Sequence, residues 1–191
     1  MEYNEQEMNA QLKYWLREIG IILVSSLAIF FILQMAFIKA EVIGESMEPN
    51  LHQGQQIMVN KMCYKFSEPH RGDVIIFAPP ERARSTCDYI KRIIGLPGEV
   101  VTIKDGAVSI TKADGQTFTL DEPYIASLSL LDYQSSTIPT GHYFVMGDNR
   151  NNSSDSRGGW TVPLESITGK AWFSYWPFSE FGGALSYSLP E

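Results

Sequence analysis

A serine and a lysine are the residues of this chain whose types and context suggest chemistry. Ser46 lies shortly after a membrane-length apolar stretch, and Lys91 lies in a run of β-branched and aromatic residues, 89–94. A neutral lysine amine takes a proton from a serine hydroxyl, whereas an ammonium group cannot. The pair therefore suggests a serine hydrolase whose general base is a lysine, held against a bilayer.

Lys91 acts as a base only where its surroundings keep the amine neutral. In an extended run the side chains alternate, so Lys91 shares a face with Tyr89 and Ile93 while Arg92 lies on the other face. Loss of hydration on an apolar face lowers the pKa of an amine from about 10.4 by as much as several units. The alternative is a snorkelling or ion-paired lysine beside Arg92, the commoner state of a single lysine in a strand.

The apolar stretch comprises residues 19–38 and carries no charged side chain. At a rise of about 1.5 Å per residue, its length matches a hydrocarbon core of about 30 Å. We interpret it as a transmembrane anchor. A removable signal peptide is the alternative, but Ile38, two places before Ala40, is too large for the usual cleavage pattern.

Charges beside this stretch predict its orientation in a cell membrane. Lys13 and Arg17 precede it and Lys39 follows it, which favours a cytoplasmic N-terminus. Residues 1–18 would then be a cytoplasmic segment, with a short amphipathic helix on the bilayer surface. Residues 39–191 would form an extracytoplasmic domain.

Composition excludes several other functions. The formal net charge of −7 argues against a nucleic-acid-binding surface. The histidines stand alone, without metal-ligand spacing, so we predict no metal and no cofactor. Cys63 and Cys87 either pair in an oxidising compartment or remain buried free thiols, and the sequence leaves both open.

Beyond residue 40 the pattern is that of short β-strands. Runs of β-branched and aromatic residues between turn signals predict strands at 55–60, 73–77, 89–94 and 143–146. Asp-Gly pairs predict tight hairpins through 100–104, 107–111 and 116–120. The predicted fold is therefore mainly β: an N-terminal transmembrane helix, then an antiparallel β-sheet catalytic domain in which about residues 100–140 form a small inserted β-ribbon lobe.

Four segments, in this order, resemble the type I signal peptidases of bacteria, the Ser-Lys class in its short single-anchor form. They are residues 44–49, 71–77, 89–99 and 146–157, and the segment 169–177 is similar to the family's closing strand. One such segment would be a modest signal, whereas four in order behind an anchor are specific. The resemblance covers nearly the whole chain.

The resemblance implies a role for each matching residue. Ser46 corresponds to the nucleophile and Lys91 to the general base. Ser153 corresponds to the serine that orients the lysine, while Asp155 and Arg157 correspond to a supporting ion pair. Residues 151–154 also read as turn formers and glycosylation acceptors, the alternative to this supporting role.

The resemblance also implies the substrate, the signal peptides of exported preproteins, cleaved without a cofactor. The peptide would lie extended along a strand edge, and Met47 and Tyr89 would line shallow pockets for its small side chains. Gly44 stands where some members carry a hydroxyl that helps to bind the oxyanion. The backbone N–H of Ser46 would then carry that role, and Gly44 equally suits a turn with positive φ.

Two other function classes fit parts of the pattern. A repressor-type Ser-Lys autoprotease would carry a DNA-binding domain, and the first forty residues hold an apolar stretch instead. An inactive membrane-bound β-scaffold would not need Ser46 and Lys91 together. We therefore expect a membrane-anchored serine endopeptidase that uses a Ser-Lys dyad.

Overall fold

The structure is a computed structural model that describes residues 2–80, 87–182 and 186–190. The chain divides into two compact units, Met1–Phe37 and Ile38–Glu191. In the first unit, helix α1 (Glu2–Ala36) contains a part, Glu7–Ala36, long and apolar enough to cross a membrane. A separate helix within residues 1–18 is not observed, because α1 continues unbroken through that region and no proline interrupts it.

The second unit is mainly β, as predicted. Its strands are β1 (Phe37–Glu41), β2 (Gln56–Asn60), β3 (Val74–Phe77), β4 (Tyr89–Gly95), β5 (Val100–Lys104), β6 (Ala107–Thr111), β7 (Thr117–Thr119), β8 (Tyr133–Gln134), β9 (His142–Met146), β10 (Val162–Pro163) and β11 (Ile167–Trp176). A one-turn helix, α2 (Cys63–Phe66), follows β2, and a 3₁₀ turn, Ser156–Gly158, follows β9.

Two sheets form among the described residues. The larger sheet has the order β1-β2-β11-β3-β4-β9-β10, and the smaller sheet has the order β7-β6-β5-β8. In the larger sheet the pairs β2–β11, β3–β4 and β4–β9 are antiparallel, and in the smaller sheet the pair β5–β6 is antiparallel. The smaller sheet contains the Asp105-Gly106 hairpin, in which both turn residues have positive φ, as a tight turn of this kind requires.

The smaller sheet shares a hydrophobic core with the larger one. Val101, Ile103 and Val108 pack in the same cluster as Ile94 of β4 and Phe144 of β9. The ribbon predicted at about 100–140 is therefore bound to the main sheet by apolar burial.

The centre of the larger sheet is buried on both faces. Along β3, Ile75 and Phe77 belong to one apolar cluster, while Val74 and Ile76 belong to another. Strand β4 pairs with β3 so that Lys91 lies opposite Ile75 and Arg92 opposite Val74. Two adjacent basic residues therefore lie in the middle of the sheet.

Strands β1, β8 and β10 differ from what the sequence pattern predicts. Phe37 and Ile38 were expected to end the transmembrane stretch, whereas the helix ends at Ala36 and β1 begins at Phe37. Apolar content alone does not distinguish the end of such a helix from a strand. The neighbour β2 decides the outcome by pairing with β1.

Candidate active site

Ser46 lies in the turn-rich connection between β1 and β2. The turn is closed by backbone hydrogen bonds from Glu48 N–H to Glu45 O at 3.1 Å and from Asn50 N–H to Met47 O at 3.0 Å. Met47 is only 1% exposed and anchors this segment in the apolar cluster around Val42. The serine side chain is therefore presented by a segment that the core holds in place.

Lys91 meets Ser46 directly. Its Nζ lies 2.7 Å from Ser46 Oγ and 2.9 Å from the Ile90 carbonyl oxygen. The Lys91 Nζ also lies 5.1 Å from the centroid of the Tyr89 ring, consistent with the predicted alternation of side chains along β4. A lysine amine at hydrogen-bond distance from a serine hydroxyl satisfies the geometric requirement for a nucleophile and its base.

Burial perturbs the protonation of this lysine. Lys91 is 4% exposed, and the loss of hydration lowers its pKa from 10.5 to about 8. The charges of Asp155 and Asp148 act in the opposite direction and raise the pKa. Because desolvation is the larger effect, a substantial fraction of the amine is neutral near pH 8.

The loop after β9 supplies the residues predicted to support the lysine. Asp155 forms a two-pronged ion pair with Arg157, with both N–O distances 2.8 Å, and its carboxylate also accepts from Gly147 N–H at 3.1 Å. Both side chains are largely buried. The predicted ion pair is therefore formed, and the Gly147 hydrogen bond to Asp155 ties the far end of the loop to its start.

Ser153 lies at this loop, but its predicted hydrogen bond to Lys91 is not formed. Its Oγ is buried and has no hydrogen-bond partner among the described residues. A side chain at Gly147 would overlap both Ser153 Oγ and the carbonyl oxygen of Ser46. Glycine at position 147 therefore allows the loop to approach Ser46, and Ser153 lies inside that contact.

Gly44 adopts a left-handed backbone conformation with φ of +87°, and no atom lies where its side chain would be. A larger residue would have space but would be strained in that conformation. Gly44 thus satisfies the turn requirement that the sequence left open. Among the described residues, the backbone N–H of Ser46 has no acceptor, so it is free to bind a substrate oxygen.

A cleft of about 230 Å³ opens beside Ser46 and Lys91. Its wall includes Val42 and Gly44 from the segment after β1, together with Met47 and half-buried Tyr89, the two residues predicted to contact substrate.

A set of buried ion pairs around the site was missed by the sequence analysis. Arg92 binds Asp148 through two hydrogen bonds of 2.8 and 2.7 Å, and Asn50 Nδ2 donates to the same carboxylate at 2.8 Å. Arg150 pairs with Glu122 from the chain preceding β8, with both side chains buried. The two residues of each ion pair are distant in sequence, so the sequence shows that the charged residues are present but not which of them pair.

No disulfide joins the two cysteines, and the alternative of two buried thiols does not hold for Cys87. Cys63 is half-buried and Cys87 is exposed. Among the described residues, no group of histidine, cysteine and carboxylate side chains has the arrangement of a metal site.

The comparison with known protein families shows the family of this chain. The model of the family "Signal peptidase, peptidase S26" matches residues 13–176, which include Ser46, Lys91 and the loop that follows β9. This chain belongs to the signal peptidase family. The resemblance inferred from the four sequence segments is confirmed.

Individual signal peptidases match most of the chain. It is 37% identical over 165 residues to a probable signal peptidase I-1 of Synechocystis, covering 84% of this chain and 80% of that protein. It is 33% identical over 193 residues to signal peptidase IB of Staphylococcus aureus, covering 91% and 94%. A crystal structure of a signal peptidase I from Enterococcus faecalis aligns with a TM-score of 0.47 at 34% identity, covering 55% of this chain and 97% of that one.

Proposed function

We propose that this signal peptidase cleaves the signal peptides of exported preproteins with Ser46 as nucleophile and Lys91 as general base. The observation that carries the proposal is the 2.7 Å contact between Lys91 Nζ and Ser46 Oγ, made by a lysine whose pKa burial lowers to about 8. Family membership supports the reaction class, and this contact supports the assignment of the two roles.

In the first half of the proposed reaction, neutral Lys91 takes the hydroxyl proton while Ser46 Oγ attacks the scissile carbonyl carbon. The Ser46 N–H binds the resulting oxyanion. The tetrahedral intermediate then expels the amine of the mature protein, which receives its proton from Lys91. An ester between Ser46 and the signal peptide remains.

In the second half, water attacks this ester and loses a proton to Lys91, and the Ser46 oxygen leaves and is reprotonated. Ser153, Asp155 and Arg157 support the lysine from the loop after β9. Met47 and Tyr89 contact the small substrate side chains at the first and third positions before the cut. Gly44 gives the turn that precedes the nucleophile.

We further propose that α1 anchors the enzyme in the lipid bilayer, with residues 1–18 cytoplasmic and the β unit outside. The length and apolar character of Glu7–Ala36 support the anchor, and the positions of Lys13, Arg17 and Lys39 support the orientation. The enzyme and its substrate would then meet at the outer face of one membrane, which raises their effective concentration.

Cleavage of a preprotein by the full chain in detergent tests this proposal. The wild type should cut once after the signal sequence, and mass spectrometry should find small residues at the first and third positions before the cut. Ser46→Ala should bind the same peptide and release no product. Equal turnover by folded Ser46→Ala would contradict the proposed nucleophile.

A further inference from the structure

Asn149 contacts the peptide groups on both sides of Ser46. Its backbone N–H donates to the Ser46 carbonyl oxygen at 3.1 Å, and its side-chain Nδ2 donates to the Glu45 carbonyl oxygen, also at 3.1 Å. The Glu45 carbonyl oxygen accepts a second hydrogen bond from Glu48 N–H within the local turn. One residue of the opposite loop thus holds both main-chain carbonyls that flank the nucleophile.

The Glu45 carbonyl and the Ser46 N–H belong to the same peptide group. Because that group is planar and trans, a hydrogen bond that fixes the direction of the C=O also fixes the direction of the N–H. Hydrogen bonds to the carbonyl polarise the peptide and make its N–H a stronger donor. The side chain of Asn149 therefore acts on the donor that the proposed mechanism assigns to the oxyanion.

The position of Asn149 is set by its two neighbours in the chain. Asp148 is 1% exposed and bound by Arg92, and Arg150 is 1% exposed and bound by Glu122. Both ion pairs reach across the fold to other elements. The backbone at Asn149 is therefore held on both sides, as a precise contact to Ser46 requires.

We propose that Asn149 is a positioning residue that aims the Ser46 N–H at the oxyanion. This inference rests on the proposed function and adds to it a residue that touches no reacting atom. A donor of this type is effective only when its direction is set before the transition state forms. Loss of the Asn149 amide should therefore weaken transition-state binding while leaving substrate binding intact.

Asn149→Leu in the full chain tests this inference, because leucine has nearly the same size and no amide donor. We expect kcat to fall about tenfold with KM unchanged, a smaller loss than removal of an entire oxyanion donor since the Glu48 contact to the same carbonyl remains. The pH dependence of kcat/KM should stay that of the wild type, because no charge is added. Asn149→Ala provides a second variant with the same expectation.

Asn151→Leu is the matched control. Asn151 lies on the same loop, and its amide donates to the Leu128 carbonyl oxygen at 3.0 Å, away from the nucleophile. This variant makes the same change in side-chain chemistry without touching the peptides beside Ser46. Its kcat should remain close to that of the wild type.

A pair of peptide inhibitors separates positioning from a merely structural role. A peptide aldehyde forms a hemiacetal when Ser46 Oγ adds to its carbonyl carbon, and the former carbonyl oxygen then occupies the oxyanion position. The matching peptide alcohol has no carbonyl carbon for Ser46 Oγ to attack, so it forms no adduct and no tetrahedral oxygen at that position. Asn149→Leu should weaken the aldehyde about tenfold and leave the affinity for the alcohol unchanged.

Equal weakening of both inhibitors, or no weakening of either, would overturn the positioning role. Ser46→Ala measured in parallel distinguishes this failure from failure of the proposed function. If Ser46→Ala is inactive while Asn149→Leu behaves as wild type, only the role of Asn149 is lost. If Ser46→Ala retains activity, the assignment of the nucleophile is itself wrong.

Discussion

Lys91 and Arg92 are adjacent on β4 and both are buried, yet only Arg92 forms an ion pair with a carboxylate. Arg92 is 0% exposed and shares a two-pronged ion pair with Asp148. Lys91 is 4% exposed, and it donates hydrogen bonds to the Ser46 hydroxyl and the Ile90 carbonyl oxygen, which are both uncharged. The alternation of the strand places Arg92 against a carboxylate and Lys91 against the Ser46 hydroxyl.

The chemistry of the two side chains explains this division. A guanidinium stays charged throughout the physiological range, so its burial is tolerable only beside an anion. A lysine amine can lose its proton instead, and for Lys91 desolvation favours that outcome because it outweighs the opposing charges of Asp155 and Asp148. One strand therefore contains a structural cation and a potential base, separated only by which face each occupies.

The largest expected effect comes from making Lys91 resemble its neighbour. Lys91→Arg should lower kcat/KM by about a thousandfold or more, because a guanidinium cannot accept the serine proton. Peptide cleavage in detergent measures this. The matched control is Arg92→Lys, which keeps a cation beside Asp148 and should retain most activity. Turnover by folded Lys91→Arg within tenfold of the wild type would show that Lys91 is not the base.

The next effect concerns stability. Arg92→Met leaves Asp148 buried without its main partner and should lower the free energy of unfolding by about 3–5 kcal/mol. Lys91→Met removes a desolvated charge and should be at least as stable as the wild type at neutral pH, although inactive. Denaturant titration of both variants measures the difference. A similar loss for the two would mean that Lys91 is also a paired, stabilising cation.

Ser153 tests whether Lys91, unlike Arg92, depends on a neighbouring hydroxyl for its orientation. Its hydroxyl is buried without a partner among the described residues, so it has a hydrogen bond to spare for the amine. Ser153→Ala should lower kcat by about a hundredfold with little change in KM, as for loss of an orienting group. Its stability should not fall. A wild-type kcat would make Ser153 a turn residue only.

The smallest effect is a dependence on pH that only Lys91 should produce. Since kcat/KM requires the neutral amine, it should rise with pH around a midpoint of about 8. Stability follows from the same lowered pKa. The charged form is disfavoured in the folded state, so the cost is fully present below about pH 8 and disappears as pH rises towards 10.5.

Denaturant titration at several pH values measures this cost. The stability advantage of Lys91→Met over the wild type, about 1–3 kcal/mol at most, should therefore shrink as pH rises. The deficit of Arg92→Met should show no such change across the same interval. A constant difference between Lys91→Met and wild type would contradict the lowered pKa.

Much of the site could be predicted because its chemistry is local in sequence. Ser46, Lys91 and the Asp155–Arg157 pair each lie in a short segment whose residue types are informative, and the Asp155–Arg157 pair spans only two residues. Strands such as β5 and β6 were predicted at their observed bounds, because the turn residues of a hairpin and the alternating side chains on either side of them are all visible in one short segment. Short strands such as β8 and β10 carry too little pattern to be found alone.

The sequence by itself determined the family and the mainly β fold, and it singled out Ser46 and Lys91 as candidates for chemistry. Only the tertiary structure decided which buried cation is paired and which is left beside the serine. It also decided that Asn149 bonds to both carbonyls flanking Ser46 and that Ser153 has no hydrogen bond to Lys91. The physical reason is that pairing and desolvation depend on distances between segments far apart in the chain. The electrostatic energy of a charged side chain is therefore set only when the folded structure fixes those distances.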